Sequence, residues 1–376
     1  MRSPLAGRRL LHTKAVTTVA ALAMGVLAVP AAAVAHADTT PTIPTFTNGY
    51  GLTVVNDPDV GTGFYPGDTE SASNFTITVT TPEVADGTNP DTNTAEVGHH
   101  IRIILPADYY SDPTKRYPVL YFLHGGGDDP VDQGEQGNLQ PYFASDMITV
   151  LPDGGPRGWY VNWQNQGTAA GAQNWETFEI DQVIPFIDAN LRTIADKRDR
   201  AIAGLSMGGF GAFHLAEDNP SLFSNVASLS GAIDMSDDDL LIRSAIATLE
   251  QSDAPSVPDD ATFGSLIPFF DGTIDQIDPS SSTNLENLAG MNISIYTGAG
   301  SLSTAPGQVL EMPVQSAAQW TENRLNADGI PSYYVDYGDG SNWGAPGTCD
   351  GGHDWGCWED DLNDYIPRLE TAFGLN

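Results

Sequence analysis

Cationic side chains are scarce in this 376-residue chain. Fifteen Lys and Arg stand against 49 Asp and Glu, a formal net charge of −34 at pH 7. So acidic a surface repels phosphate backbones, which excludes nucleic acid as a partner. Cysteine is nearly missing. The two present, Cys349 and Cys357, form no zinc-ligand pattern, and no nucleotide-binding glycine loop occurs. Long apolar runs are missing too, with one exception. Ala15 to Val34 is Ala-rich and weakly hydrophobic, follows Arg2, Arg8, Arg9 and Lys14, and precedes the small-x-small triplet Ala35-His36-Ala37. That order reads as a secretory signal peptide over 1–37, cut before Asp38, rather than as a membrane anchor. The expected protein is therefore secreted and extracellular, without stable membrane insertion. There the cysteine pair reads as one disulfide, Cys349–Cys357.

The remainder, 38–376, is long for one domain but within reach of a large α/β enzyme. Residues 38–98 read as a Thr- and Pro-rich lead-in followed by edge strands. Phe75, Ile77 and Val79 alternate over Asn74 to Thr80, and a second alternating strand covers His100 to Leu105. An independent N-terminal module is the competing reading. From Val119 the pattern changes to continuous apolar runs, as buried parallel strands require. They cover Val119–Leu123, Met147–Leu151, Arg200–Gly204, Asn225–Leu229, Asn292–Thr297 and Ser332–Tyr337. Amphipathic helical patterns over Thr177–Leu191, Met207–Glu217, Pro313–Ala327 and Asp360–Phe373 lie between or after them. Strand and helix in alternation predict a mostly parallel central sheet with helices on both faces and antiparallel N-terminal strands. Residues 234–290 read as a polar insertion covering one edge of the cleft.

Gly204-Leu205-Ser206-Met207-Gly208 is G-x-S-x-G, with a buried strand before it and a helix after it. The α/β-hydrolase nucleophile elbow needs this context, because a sharp turn lifts the hydroxyl off the sheet and requires small neighbours. Leu123-His124-Gly125-Gly126-Gly127 ends the first long strand and has the H-G-G-G form of an oxyanion loop. The N–H groups of Gly126 and Met207 are the candidate oxyanion donors. In this fold the order is Ser, acid, His. After Ser206 only His214 and His353 remain, and His214 sits two turns into the helix after the nucleophile. His353, flanked by Gly351 and Gly352 between the cysteines, is the candidate base, and His124 reads as structural. For the acid, Glu311 is favoured over Asp336 and Asp339.

These residues together resemble the secreted esterase family that includes esterase D-like hydrolases and the mycobacterial mycolyltransferases. The likeness runs from about Ile101 to Tyr365. It is carried by Tyr117-Pro118-Val119-Leu120-Tyr121-Phe122-Leu123-His124-Gly125, Trp175-Glu176-Thr177-Phe178, Gly204 to Gly209, Leu229-Ser230-Gly231, Asp278-Pro279 and Gly352-His353-Asp354-Trp355. The resemblance implies an acyl-enzyme on the serine. Mycolyltransferases place their acid in a Phe-Leu-Glu segment, and Val309-Leu310-Glu311 is similar. They carry Asp-Gly-Leu-Arg, which helps hold a sugar acceptor, where this chain has His124-Gly125-Gly126-Gly127.

The expected function is a secreted serine carboxylesterase acting on a small-molecule, glycan or lipid ester. The alternative is an acyltransferase in which a sugar or glycerol hydroxyl replaces water. A catalytically dead binding scaffold is disfavoured, because nucleophile, hole and base all have candidates. Trp159 and Trp163, after a strand terminus, are candidate substrate-binding residues. No cofactor or metal is expected. Asp237-Asp238-Asp239, Asp271, Asp275 and Asp278 fit no calcium-loop spacing and read as solvated acidic loops.

Overall fold

Nine strands pair into one sheet. In their order across the sheet they are β1 (Thr53–Asn56), β2 (Asn74–Thr80), β5 (His99–Ile104), β7 (Ile148–Pro152), β6 (Val119–Leu123), β8 (Arg200–Leu205), β9 (Asn225–Leu229), β10 (Asn292–Thr297) and β11 (Ser332–Asp336). A separate two-stranded pair joins β3 (Thr88–Asn89) to β4 (Thr94–Ala95). The computed structural model describes residues 41–376 except 57–69, 87, 90–93, 96–97, 131–138, 140–141, 144–145, 236–239, 254–256, 259, 266–272, 304 and 376. The expected signal peptide over 1–37 lies outside the described residues, as do Asp237, Asp238, Asp239 and Asp271.

β1, β2, β5 and β7 pair antiparallel in succession, and β7, β6, β8, β9, β10 and β11 run parallel. Residues 41–376 cluster as one compact unit, so the N-terminal strands extend the main sheet. The architecture is that of the α/β-hydrolase fold.

The two-residue period of a strand sends neighbours to opposite faces. In β6, Val119, Tyr121 and Leu123 join one apolar cluster, and Leu120 and Phe122 join the other. The first face is covered by Phe210, Phe213 and Leu215 of the Met207–Asp218 helix, Phe186 and Ile187 of the Ile184–Asn190 helix, and Val314 of the Pro306–Ala327 helix. Trp358, Leu362, Ile366 and Leu369 of the Trp355–Phe373 helix cover the second. Burial of such a side chain stabilises by about 1.5–3 kcal/mol, so burial on both faces holds the sheet flat against its helices.

Some boundaries depart from expectation. The helical run expected over 177–191 starts at Trp175 and passes through π turns at Phe178–Val183 before closing at Asn190. The helix expected from Pro313 starts at Pro306, two turns earlier, with Pro313 embedded. Proline suits a first turn because it needs no donor there, and Pro306 fills that place. Pro313 leaves the Val309 carbonyl without its helical N–H, and Val309 is exposed to water. The last helix begins at Trp355, where the Asp354 side chain caps it by accepting from Gly356 N–H. Asp278 is no solvated loop residue. It is buried, accepts from Met235 and Ser280 N–H, and burial with the Asp234 charge raises its pKa to about 6.

Candidate active site

The C-terminal ends of the parallel strands converge on Ser206. It joins β8 to the Met207–Asp218 helix at φ 53° and ψ −120°, a conformation that L-residues avoid. The turn closes because its neighbours lack side chains. A Cβ on Gly204 would lie 2.4 Å from the Gly208 backbone, and one on Gly208 would lie 2.2 Å from the Leu123 carbonyl oxygen.

His353 Nε2 lies 2.8 Å from Ser206 Oγ, and His353 Nδ1 lies 2.7 Å from Glu311 Oε2. Glu311 is fully buried in the Pro306–Ala327 helix. Its second oxygen, Oε1, accepts from Ser230 Oγ at 2.9 Å, Thr297 Oγ1 at 3.0 Å and Gly298 N–H at 2.8 Å. A buried carboxylate is costly without partners, and here both oxygens are satisfied. Ser230 directly follows β9 and Thr297 ends β10, so the ends of three strands and one helix fix this chain of hydrogen bonds. The rivals for the acid are elsewhere. Asp336 is exposed and accepts from Gln315 Nε2, and Asp339 is exposed and accepts from Ser341 N–H.

The His353 loop is tied on several sides. Cys349 and Cys357 are joined by a disulfide. His353 N–H donates to Gly307 O at 3.2 Å, Gly300 N–H to Gly351 O at 2.9 Å, and Gln308 Nε2 to Asp350 Oδ1 at 2.7 Å. The imidazole meets Trp358 edge to face, centroids 5.0 Å apart.

Across the cavity, His124 holds the glycine loop. Gly154 N–H donates to its Nε2 at 2.7 Å, so Nδ1 carries the proton and donates to Gly125 O at 2.7 Å. In a trans peptide the N–H points opposite the carbonyl. Tying Gly125 O to His124 therefore turns Gly126 N–H away from it. Met207 N–H, in the first helical turn, has no carbonyl partner within its helix. Gly125, Gly126, Ser206, Met207 and His353 line one cavity of ≈120 Å³, walled by Trp159, Leu249, Leu310 and Trp358. Leu249, from the 234–290 segment, contributes to one wall.

Trp159 and Tyr160 both have positive φ, 54° and 57°. Trp159 packs edge-on against Phe210 and Phe263 and faces the cavity. Trp163 does not line it. That ring is buried, its Nε1–H donates to Gly158 O at 3.3 Å, and the Arg157 guanidinium lies over its face. The candidate binding residue Trp163 is an anchor of its own loop instead. Sequence reasoning did not reach Thr297, Leu249 or Trp358, and met Ser230 only inside a family landmark. Serine and threonine at strand ends carry no signal of their own.

The arrangement places an imidazole to take a hydroxyl proton, a buried carboxylate to hold the imidazole, and free N–H groups across a small apolar cavity. Comparison with known proteins agrees with the geometry. The family model named Esterase matches residues 93–369. An esterase of Mycobacterium tuberculosis is 42% identical over 133 residues, 35% of this chain and 28% of that protein. The match thus spans less than a third of that relative's length. The diacylglycerol acyltransferase/mycolyltransferase Ag85A of Mycobacterium leprae is 27% identical over 263 residues, 68% of this chain and 76% of that one. Among solved structures, Mycobacterium tuberculosis MPT51 has the same fold at TM-score 0.58 and 19% identity, covering 77% of this chain and 97% of its own. The fluorophosphonate-binding serine hydrolase F of Staphylococcus aureus gives TM-score 0.56 at 17% identity, covering 79% and 97%. No helix among the described residues is long and apolar enough to cross a membrane. The chain belongs to the Esterase family and has the α/β-hydrolase fold.

Proposed function

We propose that the protein is a secreted carboxylesterase that works through an acyl-enzyme on Ser206. The observation that carries this reading is the unbroken chain Ser206 Oγ, His353, Glu311 at 2.8 and 2.7 Å, opening into the cavity that Gly126 and Met207 border. His353 Nε2 takes the Ser206 proton as Oγ attacks the ester carbonyl carbon. Glu311 stabilises the imidazolium that results. The carbonyl oxygen, now an oxyanion, accepts from Gly126 and Met207 N–H, each donor supplying on the order of 3 kcal/mol. His353 returns the proton to the leaving alkoxide, and the acyl group stays on Ser206. Water deprotonated by His353 then attacks the acyl carbon, and collapse releases the carboxylic acid and restores the Ser206 hydroxyl.

The acyl group meets Trp159, Leu249, Leu310 and Trp358, so the ester has an apolar acyl part. A cavity of ≈120 Å³ is somewhat smaller than the roughly 150 Å³ cavity that takes up benzene. Short acyl groups are therefore preferred. The basic-apolar N-terminus and the Cys349–Cys357 disulfide, a linkage that persists in oxidising compartments, support export.

Transfer to a hydroxyl acceptor is the second reading, favoured by the likeness to Ag85A over two thirds of the chain. Against it, His124-Gly125-Gly126-Gly127 stands where the mycolyltransferases carry acceptor-holding residues. The test is a panel of esters from acetyl to long acyl, with and without glycerol or sugar, followed by product identification. Free acid from short esters is expected. Acylated glycerol or sugar as the main product would establish transfer, and no turnover of any ester would sink both readings.

A further inference from the structure

At the second half of the nucleophile helix, outside the cavity lining, three potential ligand atoms meet. His214 and Asp218 are four residues apart on the Met207–Asp218 helix, so they share a face. Glu176 reaches them from the segment that opens at Trp175. His214 Nε2 lies 3.8 Å from Glu176 Oε2 and 3.9 Å from Asp218 Oδ2, and all three atoms lie within 4.8 Å of one another. Neither distance from the imidazole is a hydrogen bond. His214 is 4% exposed, and its Nε2 is buried with no hydrogen-bond partner. The ring is fixed by stacking on Phe210, centroids 5.7 Å apart at 12°. Its orphaned nitrogen is thus aimed between two carboxylates that hydrogen-bond it from neither side.

We propose that Glu176, His214 and Asp218 bind one first-row divalent cation, with zinc the best fit. One imidazole nitrogen and two carboxylate oxygens are a donor set that such ions accept. The three sides of the triangle put a common centre no more than about 2.5 Å from each atom, so the roughly 2.0–2.2 Å distances of zinc need shifts of a few tenths of an ångström. The side chains of Glu176 and Asp218 are 25% and 42% exposed, which leaves a path for the ion and room for water in its remaining position. Both cysteines are in a disulfide, so no thiolate competes for the metal. The ion would tie the end of the nucleophile helix to the chain at Glu176, a cross-link outside the catalytic chain. The sequence hides it, because Glu176 lies far from His214 along the chain and the trio matches no ligand spacing.

The test titrates Zn²⁺ into the tag-free, metal-stripped protein by calorimetry and equilibrium dialysis, beside His214→Ala, Asp218→Asn and Glu176→Gln. One stoichiometric zinc per chain is expected, with a raised melting temperature. Loss of an outer-shell group alone weakens metal sites about 10–100-fold, so His214→Ala should weaken binding about a hundredfold or more. Asp218→Asn and Glu176→Gln keep shape and fold, so they carry the test if His214→Ala does not fold. Cobalt added in place of zinc should give visible ligand-field absorption that His214→Ala lacks. The proposal is overturned if the wild-type protein takes up no stoichiometric zinc. It is equally overturned if all four chains bind zinc alike, because the acidic surface is then the binder.

Discussion

Ser230 donates its hydroxyl to Oε1 of Glu311, 81 residues further along the chain, while His353 occupies Oε2 of the same carboxylate. Ser230 itself sits at φ 50°, held by its own N–H on Tyr296 O. Thr297 and Gly298 complete the set on Oε1. Without these donors the carboxylate can rotate away from the imidazole. Ser230→Ala should lower kcat about tenfold, near the low end of the about 1.5–3 kcal/mol for a hydrogen bond to a charged group, with KM little changed. Steady-state kinetics on a short-chain ester checks it. Unchanged kcat in Ser230→Ala plus Thr297→Val would mean that the helix and Gly298 N–H suffice to position Glu311.

The acid is tested by a three-way comparison. Glu311→Gln keeps the shape but cannot stabilise an imidazolium, so kcat should fall by about three to four orders of magnitude. Asp336→Asn and Asp339→Asn alter exposed groups that contact Gln315 and Ser341, so activity should stay within about twofold. A larger loss in either Asp variant than in Glu311→Gln reassigns the acid.

Trp159 fills one wall of the cavity with its ring wedged between Phe210 and Phe263. Trp159→Ala should shift the preferred acyl group to longer chains, read as the ratio of kcat/KM for octanoyl and acetyl esters. It should also destabilise by about 3–5 kcal/mol, the usual cost of truncating a buried aromatic. An unchanged chain-length profile would remove Trp159 from the acyl pocket.

Stability should depend on pH through His99 and Asp153, 2.8 Å apart. Burial alone would lower the His99 pKa, but the Asp153 hydrogen bond and charge outweigh it and raise it above 6.5. The folded state therefore holds that proton more tightly. The resulting stability is complete below about pH 6.5 and is lost as pH rises through the raised value. Asp153 behaves oppositely. Burial pushes its pKa up, yet His124 and His99 hold it far below the usual carboxylate range. Its share is present above about pH 4 and is lost on acidification. Between about pH 6 and 9 the wild-type melting temperature should fall more steeply than that of His99→Gln. Parallel curves from calorimetric scans would show that the pair contributes nothing there.

What the sequence made legible follows from how local each signal is. β6, β9 and β10 coincide with their apolar runs to the residue, because their interior positions are buried on both faces and the polar Asn225, Asn292 and Thr297 stand only at ends. The candidates Ser206, His353 and Glu311 came from motif, chain order and position, and they stand in one hydrogen-bonded row. The groups around Glu311 were not legible, since a hydroxyl at a strand end acquires its partner only when distant elements pack. Pro313 misled for a different reason. Proline marks a helix start in isolation, and nothing local reveals that Pro306 already holds that place. Trp163 looked equivalent to Trp159 four residues away, but the turn through Trp159 and Tyr160 sends the two rings to different surroundings.

The left-handed backbone at Ser206 sets stability against activity at a single position. A non-glycine residue held there costs about 1–3 kcal/mol, and the surrounding glycines and strand ends enforce it. Ser206→Ala removes the hydroxyl but keeps the Cβ and the strain, whereas Ser206→Gly removes both. The glycine variant should therefore be the more stable of two inactive proteins, by about 1 kcal/mol after the extra backbone entropy of glycine is subtracted. Selection for folding alone would drift toward glycine here. A serine kept at this angle against that gradient is the mark of a residue maintained for its chemistry.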